Sequence, residues 1–218
     1  MNIRFIDIHT HRPVNSEEIQ SVPSLFLQDV DSTHPEYPRF SAAIHPWHAS
    51  QFTPDKVGEM LENIATAPGI IAIGETGLDK ACSTDYQLQK LIFGLHLDFA
   101  VNHHKPLIIH AVRSWNDLII SLRHTKIPVI IHGYSGGKEL TKQLIDLGFY
   151  LSVGESVLRI TPRFRESLQL IPLTSLFLET DESGEDIRKI YHEISQLRGL
   201  SPEEFKIQIF KNFKTVFC

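Results

Sequence analysis

Eight short, mostly apolar runs recur along this chain, at 3–8, 22–27, 40–44, 70–73, 107–109, 129–131, 149–153 and 176–178, and their hydrophobicity is closer to continuous than to strictly alternating. Strands of that kind must be covered on both faces, which is the condition of a parallel sheet flanked by helices. The stretches between the runs carry helix signals. Thr53 and Pro54 read as an N-cap and first-turn proline for a helix reaching about Ala65. Residues 86–102 place Leu88, Leu91, Ile92, Leu95 and Phe99 on one helical stripe, stopped by Lys105-Pro106. Further helices are expected over 115–123, 138–147, 164–170 and 185–198, and Ser201-Pro202-Glu203-Glu204 opens a last one with a capping box, running to about Phe217. Strands alternating with helices in this number favour an α/β fold, a TIM (β/α)8 barrel, over an open doubly wound sheet, as one domain over 1–218. The first unit is degenerate, because too few residues separate His11 from Val22 for an ordinary helix.

The residues just past the apolar runs are polar in a repeated way. The first run ends in His9 and His11, the third in His45-Pro46-Trp47-His48, and the fourth in Gly74-Glu75-Thr76-Gly77-Leu78-Asp79. The fifth ends in His110, the sixth in His132 and the eighth in Glu179-Thr180-Asp181. In a parallel barrel the C-terminal strand ends lie on one face, where active sites are built. Residues two apart in a strand point the same way, so His9 and His11 can offer both imidazoles to one ion. Packing alone gives no reason for a histidine or an acid after strand upon strand.

Composition limits the chemistry such residues can do. Cys82 and Cys218 are the two cysteines, far apart in sequence, so any metal rests on nitrogen and oxygen ligands. Four imidazoles with Glu75 and Asp181 can hold one or two divalent ions, and such ions activate water for hydrolysis. Asp181 is the candidate to orient that water or take its proton. The net charge of -5, with histidines neutral, repels a phosphate backbone unless a local basic patch offsets it. No apolar stretch approaches the roughly 20 residues needed to cross a bilayer, and no leader pattern opens the chain. The expectation is a soluble, cytoplasmic protein with no membrane association and no implied protein partner.

These motifs together resemble the TatD-type metal-dependent deoxyribonucleases of the amidohydrolase superfamily. The carriers are Asp7-Ile-His-Thr-His11, Ala43-Ile-His-Pro-Trp47, Ile73-Gly-Glu-Thr-Gly-Leu-Asp79, Lys105-Pro-Leu-Ile-Ile-His110, Ile131-His-Gly-Tyr-Ser-Gly136 and Leu176-Phe-Leu-Glu-Thr-Asp181. The resemblance implies two divalent ions, Mg, Mn or Zn, held by His9, His11, Glu75, His110, His132 and Asp181 with Glu75 bridging. It also implies a phosphodiester hydrolase acting on DNA, with Asp181 and Glu75 as its catalytic residues. The chain departs from that family where Arg113 comes three residues after His110 instead of two, and where Glu182-Ser183-Gly184 replaces a longer loop.

Other residues have readings of their own. His45 is expected to face substrate, with Arg113, Lys80 and Ser135 as further phosphate contacts; Ser135 with Gly136-Gly137 precedes a helix whose N-terminus attracts anions. Trp47 either stacks on a base or anchors its loop. Asp79 is expected to fix the loop carrying Glu75 by hydrogen bonds. Tyr134 lines the pocket or caps the core, and His96, His103, His104, His124 and His192 are assigned to helix surfaces or C-terminal ends. His34 carries no signal. Two alternatives to a nuclease stand beside it: a hydrolase of a small phosphoester, lactone or amide on the same barrel, and a non-enzymatic binding protein. Intact ligands argue against the latter.

Overall fold

The computed structural model describes residues 3–14, 16–30 and 37–218; His34 lies outside them. Its strands are β1 (Phe5–Thr10), β2 (Ile19–Phe26), β3 (Phe40–Ala43), β4 (Ile70–Asp79), β5 (Leu107–Val112), β6 (Val129–Ile131), β7 (Tyr150–Val153) and β8 (Leu176–Leu178). They form a single sheet in the order β1-β2-β3-β4-β5-β6-β7-β8. Helices α1 (Pro54–Ile64), α2 (Tyr86–Asn102), α3 (Trp115–Leu122), α4 (Lys138–Asp146), α5 (Pro162–Leu170), α6 (Ile187–Arg198) and α7 (Pro202–Phe217) come after the strands from β3 onward. Strands in chain order with parallel pairing and intervening helices make this a TIM (β/α)8 barrel fold. Among the described residues no helix lies between β1 and β2, so the first unit is degenerate as expected. Among those residues also, no helix is long and apolar enough to cross a membrane.

The chain divides into two compact units, one made of residues 1–23 and 131–218, the other of 24–130. In the first, β1 and β8 meet through a parallel bridge between Thr10 and Asp181, and β8 pairs along β7. Helix α6 is tied to β1 by Tyr191, whose hydroxyl accepts the Ile6 N–H at 2.9 Å and donates to the Ile6 carbonyl at 3.1 Å. Removing that hydroxyl would leave buried backbone groups unsatisfied, a cost of about 1–3 kcal/mol. Asn212 of α7 donates to the carbonyls of Leu173 and Leu176, fixing the start of β8. The capping box of α7 forms as expected, with Ser201 and Glu204 bonding reciprocally.

In the second unit β3, β4 and β5 pair in succession. Helix α1 takes its N-cap from Thr53 and its first turn from Pro54, as expected. Helix α2 departs from expectation in which face it buries. Gln89, Ile92, Phe93, His96, Phe99 and Ala100 are its buried residues, whereas Leu91 is 52% exposed. The core-facing stripe is rotated from the one hydrophobicity marks out, because Gln89 and His96 occupy it as polar residues with buried partners. His96, read as a surface group, is fully buried: its Nε2 accepts the Ile44 N–H at 3.0 Å and its Nδ1 meets the Ile92 carbonyl at 2.8 Å. Burial pulls its imidazole down to about 4, the Ile92 carbonyl acting the other way, so it is neutral at pH 7.

Candidate metal centres

In the first unit the donors come from the ends of β1 and β8. β1 pairs Asp7 with Ser21 but Thr10 with Pro23, so it spends one more residue than β2 over the same length. That irregularity falls on Ile8 and His9, and bulges of this kind re-aim side chains. His9, fully buried, has Nε2 at 3.5 Å from Asp181 Oδ1, and His11 Nε2 lies 3.8 Å from the same oxygen. Donor atoms about 2.1 Å from a shared ion at ordinary ligand angles stand about 3.0–3.5 Å apart, so this spacing fits a cation with little adjustment. Asp181 is held by its backbone: its N–H donates to the His9 carbonyl, its carbonyl accepts the His11 N–H, both at 3.0 Å, and its φ is 51°. A left-handed aspartate is uncommon and costs energy that these two bonds help to meet.

Around these donors the two strand ends interlock. Thr180 donates through its N–H (3.0 Å) and its hydroxyl (2.7 Å) to Asp7. Burial pushes the Asp7 carboxyl up to about 7, against the lowering effect of the Thr180 bonds. His132, just past β6, has its ring 4.6 Å from that of His9 and its Nδ1 3.4 Å from Glu179 Oε1. Glu179 is fully buried; its Oε1 also accepts the Gly133 N–H, and its Oε2 has no hydrogen-bond partner. Sequence reasoning named Glu179 only as part of a strand end. The signal was available: it sits two residues before Asp181, directly after the fully buried β8. A cavity of about 420 Å³, lined by Gly133, Gly154, Glu155, Glu179, Asp181 and Glu182, opens beside it.

In the second unit the donors come from β3, β4 and β5. β4 pairs Ile73 with Leu107 but Thr76 with Ile109, again three residues against two, and the irregularity carries Glu75. Gly77 has φ 151°, and a Cβ there would collide with the carbonyl oxygen of His110, so only glycine lets β4 lie this close to β5. Glu75 Oε1 lies 2.7 Å from His110 Nδ1 and 3.3 Å from His45 Nε2. His45 Nδ1 accepts the Trp47 N–H at 3.2 Å, which directs Nε2 to the carboxylate. Donor atoms of His45, Glu75 and His110 all lie within 4.8 Å of one another, a set that could hold a metal ion. His45, expected to touch substrate, therefore stands among the candidate ligands.

Behind this group is a scaffold of side chains. Asp79 Oδ2 accepts the indole N–H of Trp47 at 2.6 Å and faces His110 Nε2 at 3.3 Å, while Oδ1 accepts the Ala81 N–H at 2.6 Å. Burial raises the Asp79 carboxyl, but the bonds from Trp47, Ala81 and His110 outweigh it and hold it below the usual carboxylate range. Gln89 of α2 accepts the Asp79 N–H at 2.8 Å and donates to the carbonyls of Asp79 and Thr84. A carboxylate behind a ligating imidazole fixes the ring and its tautomer. The expected role of Asp79 thus extends from the loop to His110 itself.

The remaining candidates belong to neither group of donors. Among the described residues, the hydrogen bonds and ion pairs of both groups involve neither Arg113, which is exposed at φ 53°, nor Ser135, which is exposed ahead of α4. Gly137 is the α4 N-cap. Lys80 is engaged with Asp117 at 2.7 Å, and Tyr134 is buried with its hydroxyl 2.6 Å from Thr141 Oγ1, a cap on the core.

Among known proteins, a family profile described as TatD related DNase matches residues 27–218. A metal-dependent hydrolase of Buchnera aphidicola, subspecies Baizongia pistaciae, is 29% identical over 197 residues, 81% of this chain and 73% of that protein. A 3'-5' ssDNA/RNA exonuclease TatD of Pantoea ananatis is 32% identical over 162 residues, 71% of this chain and 61% of its own length. The crystal structure of YjjV, a TatD homologue from Escherichia coli K12, superposes with a TM-score of 0.82 at 22% identity, covering 100% of this chain and 99% of the other.

Proposed function

The chain belongs to the TatD related DNase family and is a metal-dependent hydrolase, and from that premise we propose that it cleaves phosphodiester bonds of DNA at two divalent ions, Mg, Mn or Zn. The observation that carries this reading is the pair of compact nitrogen and oxygen donor groups, His9, His11 and Asp181 in one unit and His45, Glu75 and His110 in the other. His132, beside His9, completes the expected ligand set. Divalent ions, when bound, bring water toward neutral acidity and stabilise charge developing on a phosphoryl oxygen.

The chain's own residues divide the remaining work. Asp181 receives the proton of the attacking water, a role supported by its side chain being 40% exposed and its backbone fixed. Water oxygen bonds to phosphorus, the leaving sugar oxygen departs and takes up a proton, and the products are a phosphomonoester and a hydroxyl. Glu75 sits against two imidazoles, and Asp79 holds one of them in orientation, so a small separation of Glu75 from His110 would admit a cation. The cytoplasmic setting belongs to the same proposal.

A small phosphoester, lactone or amide is the second reading. It is favoured by the carboxylates lining the 420 Å³ cavity and by the commitment of Lys80 to Asp117, both of which disfavour a polyanion. The experiment is a metal panel on single-stranded, double-stranded and generic phosphodiester substrates, with Glu75→Ala as control. Metal-dependent DNA cleavage abolished by chelation supports the first reading. A pure, metal-loaded sample inert on every DNA form but active on a small ester selects the second.

A further inference from the structure

Trp47 combines two properties that a loop anchor and a ligand platform usually divide between them. Its indole edge is pinned, with Nε1–H donating to Asp79 at 2.6 Å, while the residue remains 54% exposed. A tryptophan that merely anchors a turn buries its ring, since burying aromatic surface is what does the anchoring. Here the hydrogen bond fixes orientation and leaves apolar area in water. The ring also lies beside the donor group of its own unit: its centroid is 4.8 Å from that of His45, at 83°, and 6.1 Å from that of His110.

A second exposed aromatic extends the same surface. Phe26, 39% exposed, stands edge-to-face on His48 at 5.3 Å, and His48 is 6.2 Å from His45. The other large hydrophobics exposed among the described residues, Val14, Leu91, Val101, Ile120 and Leu170, are aliphatic and scattered. The exposed rings of Trp47 and Phe26 therefore flank His48, with Trp47 against the buried candidate ligand His45. The electrostatic setting narrows the occupant. With a net charge of -5 and Lys80 paired to Asp117, the chain as a whole offers a strand little electrostatic attraction beyond single exposed cations such as Arg113. Its bases, which are uncharged and flat, gain from a fixed indole face.

We propose that Trp47 is a stacking platform for one unpaired nucleobase of the strand being cleaved, the nucleotide next to the phosphate held at the donor group of His45, Glu75 and His110. This rests on the phosphodiesterase reading and names its substrate more closely. A base in a duplex is already stacked and paired, so the platform favours single-stranded ends. Every base has a π-face, so it imposes little sequence preference.

The test compares kcat/KM on a thymidine oligonucleotide with that on an abasic strand of the same length, in the metal-loaded enzyme. Because Trp47 also holds Asp79, the informative quantity is the ratio of the two values within each variant, which cancels damage to the metal group. Wild type favours the base-bearing strand; Trp47→Ala lowers that ratio about 10- to 100-fold, chiefly through KM, and Trp47→Phe, which keeps an aromatic face, retains most of it. An unchanged ratio in Trp47→Ala overturns the platform while leaving the hydrolase intact. If wild type cleaves neither strand, the phosphodiesterase reading fails, and stacking is decided by fluorescence. The Trp115→Phe protein has Trp47 as its sole indole. Its saturable quenching by a thymidine trinucleotide, and not by the abasic trimer, upholds the platform; equal or absent quenching overturns it.

Discussion

In the unit of residues 1–23 and 131–218, the candidate ligands hang from backbone that is itself paired: Asp181 exchanges N–H and carbonyl bonds with His9 and His11, and 40% of its side chain is left to solvent. In the unit of 24–130 the corresponding residues are steadied by other side chains, His110 by Asp79, Asp79 by Trp47 and Gln89, and the group is nearly buried. The difference separates two tasks. A carboxylate that must exchange protons with water is best held by its main chain and left open, whereas one that must keep its charge against imidazoles is best enclosed in a hydrogen-bonded shell. Damage should therefore register differently in the two places.

The largest effect is expected from Glu75→Ala, which removes the one carboxylate of the enclosed group. Hydrolysis should fall by about 10³-fold or more with a matching loss of bound divalent ion, read by elemental analysis of the gel-filtered protein. Asp181→Asn should lower kcat by about 10²- to 10³-fold while leaving the circular dichroism spectrum and melting curve close to wild type. If Asp181→Asn instead unfolds the protein, the backbone is not what holds that residue. Asp79→Asn should act through metal affinity, weakening it about 10- to 100-fold in a chelator competition; an unchanged affinity would remove the distinction between the two units.

The smallest effect concerns pH. The His96 imidazole titrates near 4 when folded and near 6.5 when unfolded, so the unfolded chain binds the extra proton between those values. The stability it contributes is present above about 6.5 and is lost as pH falls through 4, with a slope of up to about 1.4 kcal/mol per pH unit. Urea midpoints of chelated protein from pH 7 to 4 should therefore fall less steeply in His96→Gln, whose amide oxygen can still accept the Ile44 N–H. Parallel slopes would show that the histidine is not buried neutral.

Much of this was legible in the residues. The eight apolar runs locate eight strands, and the polar groups after them supply both donor sets. Strand ends were misjudged where chemistry begins: β4 continues through Gly74-Glu75-Thr76-Gly77-Leu78-Asp79, paired with β5, although its hydrophobicity stops at Ile73. Backbone pairing does not end where apolar side chains do. Gln89 and His96 were invisible for the opposite reason, since a helix face is read from its apolar residues and these are buried by virtue of polar partners. Arg113 and Ser135 rest on motif position alone, because nothing in a sequence says which way an exposed loop turns its side chains.

Two of the irregular pairings, at His9 and at Glu75, give their strands the equivalent of a reading frame. Alternation assigns successive side chains to opposite faces, and one surplus residue shifts every later assignment. Deleting Gly74 would restore even pairing and cast the residues beyond it onto the wrong face, although no ligand had been altered. In a scan of single-residue deletions, the loops of this protein should be forgiving, and the last turns of β1 and β4 should behave as a coding sequence does toward a frameshift.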